Sequence, residues 1–151
     1  MQLVGVFLLL GLGLALGGKQ CLRVKGNLYC PGIADGSRAD LKLYDDDAAR
    51  LDDVMKQRTV HFTNGRAAFD LQGYASDLIS DIDPFLTVYH RCGESVVDQT
   101  IRCPRKNKYA LSDKFIHDGD DCSEYTPLDL GDLNLQIPGG SSSSEERDCI
   151  H

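Results

Sequence analysis

LRVKGNLYC, residues 22–30, alternates from end to end. Leu22, Val24, Leu28 and Cys30 share one parity, and Arg23, Lys25, Asn27 and Tyr29 share the other. Period two with one apolar side is the signature of a β-strand that buries one face and wets the other. The PGIADGS run that follows (31–37) holds Pro, two Gly and Asp, a turn signal. Alternation resumes in DLKLYD (40–45) through Leu41 and Leu43.

The same reading extends along the chain. DDDAARLDDVMK (45–56) is acidic and lacks a strand pattern, which predicts a long loop with one helical turn at 48–55. QRTVHFTNGRAAFDLQG (57–73) reads as a hairpin about Asn64-Gly65, between strands at 59–62 and 67–71. YASDLISDI (74–82) fits a short helix. FLTVYHRC (85–92) after Asp83-Pro84 is a strand with Leu86, Val88, His90 and Cys92 on one face. LDLGDLNLQI (128–137) is a last strand, with Leu133, Leu135 and Ile137 alternating. About seven short strands, turn signals between them and no long amphipathic helix predict an all-β fold. The expected architecture is an antiparallel sandwich or barrel in a single domain spanning 18–151.

Residues 1–17 read as a secretory signal peptide. Residues 3–16 (LVGVFLLLGLGLAL) are apolar and end in small residues that fit a cleavage site. This run is shorter than the roughly 20 apolar residues of a membrane span, and no later segment is apolar enough for one. The destination is therefore the extracellular space. A net charge of −7 excludes nucleic acid as a natural partner, because phosphate recognition needs clustered Lys and Arg.

Six cysteines follow the apolar run: Cys21, Cys30, Cys92, Cys103, Cys122 and Cys149. An even count on the oxidising route predicts three disulfides, and spacing alone leaves the pairing open. No C-x-x-C pair exists, which speaks against zinc. Placed on the strand frame, Cys92 with Cys103, Cys30 with Cys149 and Cys21 with Cys122 are the expected bridges. Cys149 then ties the Gly/Ser run at 139–144 back to the domain.

VKGNLYC, DLKLYDDD, IDPFLTVYHRC, CPRK with DKFI, and EERDCIH stand in that order. Together these blocks resemble the nematode transthyretin-like family over residues 23–151. Cys21, Cys122 and the Ser141–Ser144 run depart from the family's usual four-cysteine pattern. The resemblance implies a transthyretin-like (immunoglobulin-like) antiparallel β-sandwich and a secreted protein. One characterised branch of the family bridges exposed phosphatidylserine on dying cells to an engulfment receptor. The expected function is thus non-catalytic extracellular binding by a monomer, with a protein receptor or exposed anionic lipid as partner and no cofactor.

Two other functions fit the sequence less well. A hydroxyisourate hydrolase of the related enzyme group would end in Y-R-G-S and use an N-terminal histidine, whereas this chain ends in RDCIH and has no His before His61. A carrier of a small apolar ligand would need a tetramer, which lysines on an edge strand oppose.

Candidate binding residues are of two kinds. Asp45, Asp46, Asp47, Asp52 and Asp53 with Arg50 form an acidic loop, read as a partner surface or solvated turn rather than a metal site. Arg105 and Lys106 lie in the densest basic stretch, with Arg102 and Lys108, and suit a phosphate or carboxylate. The Asp-rich run at 118–124 reads as structural, stapled by Cys122. Of the histidines His61, His90, His117 and His151, His90 shares parity with the core and reads as structural.

Overall fold

The computed structural model describes residues 18–46, 53–76, 80–137 and 146–149. Nine strands occur among them: β1 (Gln20–Tyr29), β2 (Arg38–Asp45), β3 (Asp53–His61), β4 (Arg66–Ala75), β5 (Pro84–His90), β6 (Arg105–Ala110), β7 (His117–Asp118), β8 (Leu128–Asn134) and β9 (Glu146–Arg147). One six-residue helix, α1 (Val96–Ile101), bridges β5 to β6. One sheet joins β4, β1 and β7, with β8 also on β1; the other runs β3-β2-β5-β6-β9.

The alternation of 22–30 is realised side chain by side chain. Leu22, Val24, Leu28 and Cys30 are fully buried, and they pack on Leu41, Leu43, Phe62, Leu86 and Val88 from the facing sheet. Each fully buried Leu or Val contributes about 2 kcal/mol of transfer free energy, so these inward rows hold the sandwich closed. β5 is buried along its whole length because it is central in its sheet.

Several expectations change. Asn64-Gly65 does form a tight turn with positive φ at both residues, and Thr63 and Arg66 exchange backbone hydrogen bonds across it. Beyond that one rung the chain parts: β3 pairs with β2 and β4 with β1. The turn is therefore a corner between sheets and not the tip of an extended hairpin. Gly65 is needed there twice over, since a Cβ would also lie 2.8 Å from the Cys30 carbonyl oxygen. Met55 belongs to β3, not to a helical turn; residues 47–52 lie outside the described residues, as do 77–79 of the expected short helix. β8 stops at Asn134, leaving Ile137 exposed, and it runs parallel to β1.

The disulfides are Cys21–Cys122, Cys30–Cys92 and Cys103–Cys149. The first is as expected. The other two replace the predicted Cys92–Cys103 and Cys30–Cys149 pairs, for reasons of register. Cys30 follows β1 and Cys92 follows β5, and both project inward at the same end of opposite sheets, with Cα atoms 5.7 Å apart. β9 lies antiparallel on β6, pairing Arg105 with Arg147. The same register carried two residues further sets Cys103 opposite Cys149. The tail cysteine is thus a staple, but to the strand beside it and not to the first strand.

Candidate binding surfaces

The described carboxylates of the acidic loop do not gather in one cluster. Asp45 is buried at the end of β2, and its Oδ1 accepts from the Asp83 backbone N–H at 2.8 Å. It fixes the start of β5, a structural task. Asp46 faces Lys108, with Nζ 3.9 Å from Oδ2. Asp53 is exposed and lines a shallow groove of about 310 Å³ with Val54, Met55 and Tyr74. Asp47, Arg50 and Asp52 lie outside the described residues. Among the described residues, no three carboxylate, His or Cys groups gather as metal ligands.

Arg105 and Lys106 fall at the opposite end of the same sheet. Arg105 donates from Nη1 to the Cys92 carbonyl at 2.7 Å. Lys106 pairs with Glu146 at 3.2 Å and Asp148 at 3.9 Å. β6 was expected to be a free edge guarded by lysines. Instead β9 covers its first two residues, and Lys106 helps to dock the tail.

Around these residues a guanidinium cluster closes the end of the sandwich. Glu94, whose side chain is 3% exposed, holds Arg91 at 3.2 Å on one carboxylate oxygen and Arg147 on the other. Arg147 also donates to the Cys103 carbonyl, and Arg91 to the Arg102 carbonyl. The YHRC, CPRK and RDC segments, far apart in sequence, therefore meet in one scaffold. Above it stands α1, capped by Ser95, whose hydroxyl accepts from the Asp98 N–H and donates to the Asp98 carboxylate. That Ser95 bond, with Arg102 behind it, holds the Asp98 carboxyl below its ordinary range. Val96, Val97 and Ile101 on this helix are 80%, 66% and 73% exposed.

His90 is structural, as its parity implied. Its Nδ1 accepts from the Cys92 N–H at 3.1 Å, so its Nε2 carries the proton and donates to Asn107 Oδ1 at 3.2 Å. Asn107 in turn donates to the Tyr109 hydroxyl and the Ile137 carbonyl. Burial pushes the imidazole down from 6.5 to about 4, with Arg105 and Arg147 acting in the same direction and Asn107 and Glu94 against it. Because the folded value is the lower one, His90 stabilises the fold fully above its ordinary value of 6.5. That contribution falls away as the pH drops and is lost below the folded value. The loss amounts to about 3 kcal/mol. Denaturant melts between pH 7 and 4 should show a shallower decline for His90→Gln than for the wild type; parallel curves would refute the assignment.

His61 is exposed, and His117 stacks on Tyr125 with ring centroids 3.7 Å apart. His151 lies outside the described residues.

The outward face of the five-stranded sheet carries residues the sequence reading passed over. Lys42, Thr87 and Lys108 form one cross-strand rung on β2, β5 and β6. Tyr44 stacks on Phe85 at 5.1 Å on the rung beside it, and Tyr89 lies on the rung opposite. The signal was present: Asp40, Lys42 and Tyr44 alternate with the core leucines, as Phe85, Thr87 and Tyr89 do along β5. The α1 cap was equally legible as S-V-V-D, a capping pattern.

Two sheets over one core, crosslinked by three disulfides, define the class: a small disulfide-stapled β-sandwich. The chain belongs to the transthyretin-like family, whose sequence profile matches residues 25–111. It is 31% identical to Transthyretin-like protein 33 of Caenorhabditis elegans, over 97% of this chain and 93% of that one. Transthyretin-like protein 5 of the same organism is 33% identical over 90% and 88%. Transthyretin-like protein 46 is 34% identical over 94% and 72%. Among solved structures, a 9R-lipoxygenase from Cyanothece PCC8801 overlaps 76% of this chain and 16% of its own. That overlap is at 20% identity with a TM-score of 0.38, too loose a likeness to carry an argument.

Proposed function

We propose that this protein is a secreted, non-catalytic binding protein that docks as a monomer on membranes exposing phosphatidylserine and offers its far end to a protein receptor. The observation that carries this reading is the exposed tip of α1. Val96, Val97 and Ile101 stand in solvent at the end of a rigid sandwich, where an apolar patch signals a binding surface. Arg91, Arg102 and Arg147 lie behind them against Glu94 and Asp98, with Arg105 beside them on the Cys92 carbonyl. With Lys106, Glu146 and Asp148 included, the cations still exceed the carboxylates, in a chain of net charge −7. The carboxylates Asp45, Asp46 and Asp83 gather at the other end of β5, about 20 Å away. A negatively charged surface attracts the α1 end and repels the acidic one, which orients the molecule. The acidic end then faces away from the membrane, towards a receptor. Catalysis has little support from His90, since both of its ring nitrogens are occupied inside the core.

Liposome flotation tests this reading. The disulfide-bonded protein should float with phosphatidylserine vesicles and not with phosphatidylcholine vesicles, with or without Ca²⁺. The Val97→Asp/Ile101→Asp variant should lose about tenfold or more in binding while keeping its circular dichroism, since both side chains are exposed. No flotation of the wild type, or equal flotation of the variant, would overturn the proposal.

A further inference from the structure

We propose a second, separate binding site on the outward face of the five-stranded sheet, formed by Lys42, Thr87 and Lys108, that takes a phosphate or carboxylate group. Thr87 is fully buried at the centre of β5, and its hydroxyl has no hydrogen-bond partner. Buried hydroxyls are nearly always paired, and an unpaired one is costly. Its neighbour Lys42 is 8% exposed. Among the described residues no carboxylate pairs with it; its ammonium sits 5.8 Å from the Tyr89 ring centroid. A lysine held this way sacrifices hydration without a counter-charge. On the other side of Thr87, Lys108 is half-exposed, 3.7 Å above the Phe85 ring and only loosely held by Asp46.

These three residues are direct cross-strand partners, with Lys42 leaning towards Tyr89 on one side of Thr87 and Lys108 towards Phe85 on the other. An anion over Thr87 would accept from its hydroxyl and draw the two ammonium groups in from either side, meeting all three deficits at once. The surroundings define the rest of the ligand. The stacked Tyr44–Phe85 pair lies on one side of the rung and buried Tyr89 on the other, with the Tyr44 and Tyr89 hydroxyls hydrogen-bonded, so the rings leave room beside the anion only for a small body. Next along the face, a pocket of about 160 Å³ opens between Arg38, Asp40, Tyr89, Arg91 and Pro104, giving access from the α1 end. The ligand class is therefore an anionic group joined to a compact apolar or aromatic part.

The test is titration of the full oxidised protein with inorganic phosphate and, separately, with benzoate, followed by amide chemical shifts. Saturable shifts at Lys42, Thr87 and Lys108 are expected, larger in affinity for benzoate because of the aromatic walls. Lys42→Met and Thr87→Val should each weaken binding about tenfold. Both should fold with thermal midpoints at or above the wild type, because each removes a buried polar group that has no partner. The Val97→Asp/Ile101→Asp variant should bind both probes normally, which separates this site from the membrane-docking end. Flotation of Lys42→Met with phosphatidylserine vesicles identifies the source of the anion: retained binding points to a soluble ligand, lost binding to a lipid headgroup. Absence of saturation with either probe, or unchanged affinity in Lys42→Met, would overturn the site whatever the vesicles show.

Discussion

The Cys30→Ala/Cys92→Ala variant should unfold at markedly lower denaturant than the wild type, with a loss of about 4 kcal/mol. The bridge closes a loop with a sequence separation of 62, which restricts the unfolded chain to about that extent. Loop length is not the whole effect. Cys21–Cys122 closes a longer loop, with a separation of 101, but it pins the Asp-rich 118–125 loop to the outside of one sheet. Cys30–Cys92 joins one sheet to the other, and both of its residues are buried within the core cluster. Removing it deletes buried volume as well as a crosslink, and the residual cavity adds to the cost. The ranking of the three double variants should therefore place Cys30/Cys92 first and Cys103/Cys149, with a separation of 46, last. Urea melts under oxidising conditions measure the ranking, and mapping of unreduced peptides checks the pairing beforehand. A Cys92–Cys103 peptide would refute it.

That pairing also marks where sequence reading succeeds and where it stops. The inward rows were legible because burial follows parity: Leu22, Val24, Leu28, Leu41, Leu43, Leu86 and Val88 all face the core. Parity says nothing about which strand lies beside which. Cys92–Cys103 looked right on the assumption that two strands close in sequence share the bridge between them. β5 and β6 are indeed neighbours, but their cysteines diverge, one into the core and one to the two-residue β9. A strand as short as Glu146–Arg147 leaves no periodic trace, so no pattern could announce it. The Asn64-Gly65 turn was read correctly as a turn and wrongly as a hairpin tip, because the switch between sheets depends on long-range packing. The candidate sites followed the same division. Charge runs were visible, yet Asp45 turned out to hold β5 in place and Lys106 the tail. The Lys42–Thr87–Lys108 rung arises only when three strands come into register, and no local pattern encodes that.

Glu94 offers the second large effect. It follows Cys92 and the positive-φ Gly93 and directly precedes the Ser95 cap of α1. Its side chain is 3% exposed, with one oxygen to Arg91 and the other to Arg147. Glu94→Ala leaves two guanidiniums facing each other across the vacated space. Breaking a buried pair in this way costs about 3 kcal/mol, towards the low end of the usual range, since both arginines keep roughly a quarter of their side chains in solvent. In a domain of this size that corresponds to about 10 °C in thermal midpoint. Glu94→Gln should cost nearly as much despite its matching shape, because an amide nitrogen must then face a guanidinium. The double variant Glu94→Leu/Arg147→Met should recover much of the loss, as the unpaired charge goes with its partner. Recovery has a second readout. Arg147 anchors β9 through the Cys103 carbonyl, so the tail of Glu94→Ala should be cleaved faster by protease than that of the wild type, within the limit set by Cys103–Cys149. Wild-type thermal stability in Glu94→Ala would show that this arginine pair is solvated and that the disulfide alone holds the tail.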